Sequence, residues 1–243
     1  DARFFLSVDR QRPLASRVED LKKVTFQAKL GSYFEKTELV RGIAAELAAQ
    51  LNAPAGACDR AALLAKCDLT TEMVKEFTEL QGVMGGLYAR MEGEPEAVWK
   101  AVYEQYQPQS MDDAIPATLS GQVLSLADRI DTLRRCFAIQ LIPSGSRDPF
   151  ALRRAAQGLV KILAEARLPV ALDWIAAGDA TLLEFLLDRV RYYFREIRGY
   201  RYDEVNAVLA SGHSNLADVE ARLAAIRQVR PTENFEPLAA SFK

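Results

Sequence analysis

Three aspartates and a run of arginines are the side chains of this chain whose types and spacing could do chemistry. Asp128 and Asp131 are three residues apart, on one face of any helix that carries them, and Asp68 lies upstream in Lys66-Cys-Asp68. Converging carboxylates suit a divalent cation or acid–base work, but a catalytic metal needs imidazole, thiolate or a ring of oxygens within about 2.0–2.6 Å. The one histidine, His213, stands far downstream in a Ser-Gly-His loop, and Cys58, Cys67 and Cys136 form no C-x-x-C pair. Asp68, Asp128 and Asp131 therefore read as helix caps, ion-pair partners of Arg129 or Lys66, or buried polar anchors, and no metal is expected. No Ser-His-Asp or Cys-His set can form around a core pocket. Leu80-Gln-Gly-Val-Met-Gly-Gly-Leu87 lacks the lysine and Ser/Thr of a phosphate loop. Its glycines predict close approach of another helix, or support of a subunit contact.

The arginines gather around one loop. Arg134 and Arg135 precede Pro143-Ser-Gly-Ser-Arg-Asp148, which carries Arg147, and Arg153 and Arg154 follow it. A loop feeding a helix N-terminus favours an anion, although Asp148 is placed to fill that cap itself. The guanidinium groups are then the better phosphate ligands, since each can grip two oxygens. The same arginines would equally serve as partners for acidic residues of a neighbouring domain. Charge distribution allows either role: residues 42–133 hold 6 basic and 14 acidic side chains, residues 134–201 hold 12 basic and 7 acidic, and the whole chain is −2.

Helices must position these groups. Apolar residues recur at helical spacing over 37–52, 120–141 and 181–198. Shorter helices are expected from Asp59 to Leu64, after Thr70 or Thr71, and from Pro95 to about Tyr106. Others are expected from Asp148-Pro149 to about Arg167, from Asp203, from Asn215, and over Phe235–Lys243. On 181–198 the polar face runs Glu184, Asp188, Arg191, Arg195, Arg198, an order that complements the helix dipole and permits pairing within the helix. Sustained period-two alternation is absent. The fold class is all-α, with a core over 1–167 and a helical extension over 168–243. At 49% hydrophobic and 26% charged residues the 243-residue chain is an ordinary globular composition. No apolar run reaches the roughly 18 residues of a membrane span, nothing at the start resembles an export leader, and three sparse cysteines suit a reducing cytosol. Beginning at Asp1 and ending in an apolar-patterned segment, the chain reads as a piece of a longer polypeptide.

Several blocks, in order, resemble the β subunit of the heterotetrameric bacterial glycyl-tRNA synthetases. They are Asp1-Ala-Arg-Phe-Phe-Leu6, Phe26-Gln-Ala-Lys-Leu-Gly-Ser32, Lys66-Cys-Asp-Leu-Thr-Thr-Glu-Met-Val74, Glu76 to Gly85, Leu126-Ala-Asp-Arg-Ile-Asp-Thr-Leu133 and Ile142 to Arg154. The resemblance implies an HD-domain-like multi-helix core in which Asp68 and Asp128 are degenerate HD positions. Cys67 stands where the HD pair has histidine, and Gln105 where the synthetase family often has one. It also implies a tRNA-recognition and scaffolding domain that is not catalytic by itself. Glycine attachment would then sit on an α subunit that carries ATP and magnesium. Arg134, Arg135, Arg147, Arg153 and Arg154 become candidate tRNA contacts. Expected partners are the α subunit, tRNA for glycine and other β-subunit domains, in the cytoplasm and away from membranes. An HD-type nucleotide phosphohydrolase and a purely structural module are the alternatives. Ser144, Arg147, Arg129 and Thr78 stand where threonine, lysine, lysine and proline are usual.

Overall fold

A computed structural model of the chain describes residues 2–231. It is all-α, as expected, with one two-residue-deep exception: β1 (Thr25–Gln27) pairs antiparallel with β2 (Gly31–Ser32), Thr25 opposite Ser32. The expected helix over Phe235–Lys243 lies outside the described residues. Among the described residues no helix is long and apolar enough to cross a membrane.

The described residues form two compact units that divide between Leu159 and Val160. In the first, α1 (Ala2–Asp9) packs on α4 (Glu72–Glu76), and the long α7 (Leu119–Ala138) packs against α2 (Tyr33–Leu51), α3 (Ala55–Leu64) and α6 (Glu96–Glu104). Val123, Leu124, Ala127, Ile130, Leu133 and Phe137 of α7 are all buried, the stripe that the spacing predicts. Ser32 and Glu35 form a reciprocal capping box that starts α2, and Thr118 Oγ1 accepts the Gly121 N–H to start α7. The helix ends at Ala138, three residues before the predicted limit, because Gln140 turns to a φ of 60°.

Two short helices take their caps from far away in sequence. Asp9 accepts the N–H groups of Glu72 and Met73 at 2.8 and 3.0 Å, and Asp68 accepts those of Gly82 and Gly85 at 2.6 and 3.0 Å. The second of these starts α5 (Val83–Met91). Thr71 caps α4 as well, its hydroxyl accepting the Val74 N–H. α5 lies so close to α6 that a Cβ on Gly86 would come within 2.5–2.7 Å of Tyr103, the close approach expected of these glycines.

Two predicted starts move. α3 begins at Ala55, behind Pro54, and Asp59 instead pairs with Arg41 at 2.8 Å. α8 (Leu152–Glu165) does not start at Pro149: Ala151 has a φ of 51°, which no helix runs through. Asp148 still caps it, its carboxylate accepting from Leu152 N at 2.7 Å and Arg153 N at 3.0 Å.

In the second unit α9 (Leu172–Ala176) packs on α10 (Ala180–Tyr192), and α11 (Tyr202–Ala210) on α12 (Leu216–Val229). The predicted 181–198 helix is α10 followed by one π turn over Tyr193–Ile197. Leu182, Leu186, Leu187, Val190 and Phe194 are buried.

Candidate functional site

α7 brings Asp128 and Asp131 to a point where α2 and the turn after α3 each deliver a lysine. Lys36, on the first turns of α2 and 2% exposed, places its Nζ 2.8 Å from Asp131 Oδ2, 2.8 Å from Thr132 Oγ1 and 3.3 Å from Asp128 Oδ1. Lys66 Nζ lies 3.3 Å from the same Asp128 oxygen and donates to Gln105 Oε1 at 2.8 Å and the Tyr106 hydroxyl at 3.0 Å. Gln105, in turn, donates to the Ala65 and Val102 carbonyls, so this buried amide is satisfied on both sides. Burial alone would raise the Asp128 carboxyl; Lys36 and Lys66, with Arg129, more than reverse that and hold it far below the usual carboxylate range.

Asp68 is fully buried and faces the N-terminus of α5. Burial pushes its carboxyl up to about 6, while the Gly82 and Gly85 N–H groups and Lys66 only partly oppose the shift. Asp68 is thus a cap and Asp128 an ion-pair partner of Lys66, two of the roles read from sequence, while Asp131 pairs with Lys36, a partner that the sequence did not suggest. Arg129 takes no carboxylate among the described residues. Its guanidinium binds Ser125 Oγ at 2.6 Å and the carbonyls of Tyr106 and Pro108 at 3.2 and 2.7 Å. Burial lowers it to about 10.

A divalent metal does not suit these residues. Asp128 presents its buried oxygen to two ammonium groups, Asp68 is spent on a helix start, and no imidazole is near. Among the described residues no three or more His, Cys, Asp or Glu side chains are grouped to hold a metal. Lys36 is the residue that sequence reading missed. Its neighbours Ser32 and Glu35 announce a helix start, but nothing local marks a lysine there as buried.

Above Asp128 opens a cavity of about 370 Å³, lined by residues that include Gln81, Tyr106, Arg129, Thr132, Phe150 and Arg154. The five candidate arginines divide around it. Arg135 is committed to the fold: it donates to the Leu30 carbonyl, sits 3.6 Å from Asp131 and lies over the Phe26 ring. Arg134 is half-buried, and that burial lowers its guanidinium against the opposing pull of Glu46 and Asp131. Arg153 donates to the Gly145 carbonyl at 2.8 Å, tying the loop to the helix start. Arg147 and Arg154 are exposed, and neither guanidinium has a hydrogen-bond or ion-pair partner among the described residues. The loop itself is closed by reciprocal Ser144–Arg147 backbone hydrogen bonds at 3.1 and 2.9 Å. His213 is part-exposed and 3.7 Å from Asp173, away from this cluster in sequence and in unit.

Comparison with known proteins shows the family of the chain. The profile of the family described as glycyl-tRNA synthetase beta subunit matches residues 1–210. The glycine–tRNA ligase beta subunit of Acidobacterium capsulatum is 54% identical over the whole chain, which corresponds to 37% of that protein. The protein of the same name from Ralstonia nicotianae is 42% identical over the whole chain, again 37% of its length. That of Trichodesmium erythraeum is 44% identical over 95% of the chain and 36% of its own length. The chain thus spans a little over a third of these curated relatives, and it belongs to the glycyl-tRNA synthetase beta subunit family.

Proposed function

We propose that this chain is a tRNA-contacting and scaffolding domain of a glycine–tRNA ligase β subunit, supporting ATP-dependent attachment of glycine by a catalytic α subunit. ATP and magnesium belong to that subunit in this reading, the work takes place in the cytoplasm, and other β-subunit domains adjoin the chain. The observation that carries the proposal is the pair of exposed, unpartnered guanidinium groups of Arg147 and Arg154, beside Arg153, at a helix start whose own cap is already filled by Asp148. A family that is named for tRNA charging has a use for positive groups of this kind: contacts with RNA phosphates position the nucleic acid without reading its bases. Arg135 is spent inside the fold and Arg134 is half-buried, so they support the contact surface from behind rather than forming it.

The test is a β subunit carrying Arg147→Ala, Arg153→Ala and Arg154→Ala, assembled with its α subunit. Weaker tRNA binding with unchanged glycyl-adenylate formation and unchanged thermal stability is the expected result. Parental tRNA affinity in a stably assembled variant would remove this loop from the RNA surface. Loss of stability or assembly with unchanged affinity in the folded fraction would favour the purely structural reading instead.

A further inference from the structure

Five arginines and five aromatic residues fall within fourteen residues of the second unit, Arg189-Val-Arg-Tyr-Tyr-Phe-Arg-Glu-Ile-Arg-Gly-Tyr-Arg-Tyr202. The fold sorts them. The π turn over Tyr193–Ile197, closed by the Arg198 N–H on the Tyr193 carbonyl at 3.0 Å, buries the consecutive rings of Tyr193 and Phe194 and leaves Tyr192 and Arg195 outside. Such turns are rare and recur at functional sites. Tyr202, which opens α11, is 63% exposed, more than any other large hydrophobic side chain among the described residues. Two arginines stack on tyrosines of this segment: Arg195 lies 5.0 Å from the centroid of the Tyr202 ring, and Arg227 of α12 lies 3.8 Å from that of Tyr200.

Not every charge here is available. Arg191 is held by Glu184 and Asp188, and Arg198 by Glu220. Arg195 and Arg201 have only their near neighbours Glu196 and Asp203, each at 3.6 Å, in pairs at least 40% exposed on both sides. Exposed pairs of that length are weak and open at little cost. The Tyr202 ring also borders a groove of about 600 Å³ shared with Leu187, Asn206 and Leu209, which gives room for a second flat group. Glu184 and Asp188 line this groove too, so a phosphate is disfavoured in it and a neutral ring is not.

Every nucleobase has a π face that stacks on an aromatic side chain, and guanidinium groups beside it suit the adjoining phosphates. A tyrosine with arginines also suits a protein interface. The run from Arg189 to Tyr202, however, holds five arginines and one carboxylate, Glu196, and the sequence neighbours of Tyr202 are charged rather than aliphatic. We propose that the 192–202 segment is a stacking site for an unpaired RNA base, which lies against Tyr202 while Arg195 and Arg201 meet the flanking phosphates. The choice of RNA rests on the proposed function; the residues lie in the second unit and are other than the arginines that carry it. Paired bases within a helix have both faces stacked, so the site selects single strands, loops or ends.

Fluorescence anisotropy of the 243-residue chain with a labelled oligouridine of about 12 nucleotides tests the site. Saturable binding with a Kd of about 1–100 μM at low salt is expected. The measurement is repeated in the chain that carries Arg147→Ala, Arg153→Ala and Arg154→Ala, which isolates the second unit's share. Tyr202→Ala, a change at an exposed side chain, should weaken the single strand about tenfold or more. It removes no charge, so the salt slope should stay the same, whereas Arg195→Ala should flatten it by about 0.7. Affinity for the same strand annealed to oligoadenosine should not change in Tyr202→Ala. Tyr202→Phe keeps the ring and should bind as the parent does. Parental single-strand affinity in Tyr202→Ala, an equal loss for single strand and duplex, or no saturable binding overturns the proposal. A Tyr202→Ala β subunit that binds RNA normally but no longer assembles with the α subunit shows that this face meets protein, and overturns it too. Failure here is distinct from failure of the proposed function. A loss in Tyr202→Ala with none in the triple variant leaves the stacking site and removes the 143–154 loop from the RNA surface. The reverse pattern removes the stacking site and leaves the proposed function.

Discussion

Lys36 and Asp68 carry the consequences of burying charge in this core. Removing one member of a buried ion cluster strands its partners, which costs far more than the cluster contributes when whole. Lys36→Ala leaves Asp131 without its nearest cation and Asp128 with Lys66 as its remaining ammonium partner. Urea unfolding should show a loss of about 3–5 kcal/mol. Lys75→Ala, which breaks the half-exposed pair with Glu72, should cost no more than about 0.5 kcal/mol. A Lys36→Ala loss as small as that of Lys75→Ala would show that the ammonium is not needed there. Asp68 gives the opposite kind of effect. Its folded carboxyl holds a proton up to about pH 6, above its ordinary 3.8, so between those values the folded state binds more protons than the unfolded one. Stability therefore falls as pH rises through that window, and it is greatest on its acid side. A two-unit shift corresponds to about 3 kcal/mol at most. Asp68→Asn keeps an oxygen for Gly82 and Gly85 but cannot ionise. Melting temperatures between about pH 4 and 7 should lose this slope in the variant; an unchanged slope would assign it to another group.

Among the elements, the contact of α5 with α6 depends on the missing side chain of Gly86. A methyl group there must push against the Tyr103 backbone, not against a side chain that can swing away. Gly86→Ala should cost about 1–3 kcal/mol. Gly42→Ala on α2, where nothing lies within 4 Å of the added carbon, should instead stabilise by about 0.5–1 kcal/mol. Similar effects of the two changes on the unfolding midpoint would contradict the packing account. This contact was legible in the sequence because three glycines inside a helical pattern have few other uses. The buried stripe of α7 was legible for the same reason, that period and burial are one signal, whereas over 181–198 the apolar spacing also takes in Leu183, which is only part-buried, and Ile197, which is 40% exposed. Other boundaries were not. The start of α5 depends on Asp68, fourteen residues before Gly82, and α4 takes a second cap from Asp9, sixty-three residues before Glu72. No local window contains those pairs. Pro149 misled because proline favours a first helical turn, yet the left-handed Ala151 intervenes. In the site, Asp128 and its partner Lys66 were legible as a residue set, whereas Lys36 was not: its burial is decided by the packing of α2 against α7.

For the whole molecule the issue is how a chain of net charge −2 could engage a polyanion. The basic excess over residues 134–201 overstates the positive surface available. Arg191 is held by Glu184 and Asp188, Arg198 by Glu220, and Arg135 by Leu30 and Asp131. The acid-to-base order along 181–198 thus ends largely in pairing within the unit, the reading that its spacing favoured. What is left around the 143–154 segment is a small group, with Arg147 and Arg154 exposed and Arg153 within reach after releasing one loop carbonyl. A contact set of three phosphates fixes the salt dependence. Each neutralised phosphate contributes about 0.7–0.9 to the slope of log K against log salt, so this segment should account for about 2–3 units. The Arg147, Arg153 and Arg154 triple alanine variant should therefore reduce the slope by that amount and leave a remainder. A reduction of about one unit would mean a single arginine meets RNA. An unchanged slope, with the variant folded and assembled, would mean that these guanidinium groups face protein in the complete enzyme and that the acidic balance of residues 42–133 belongs to the same kind of interdomain contact.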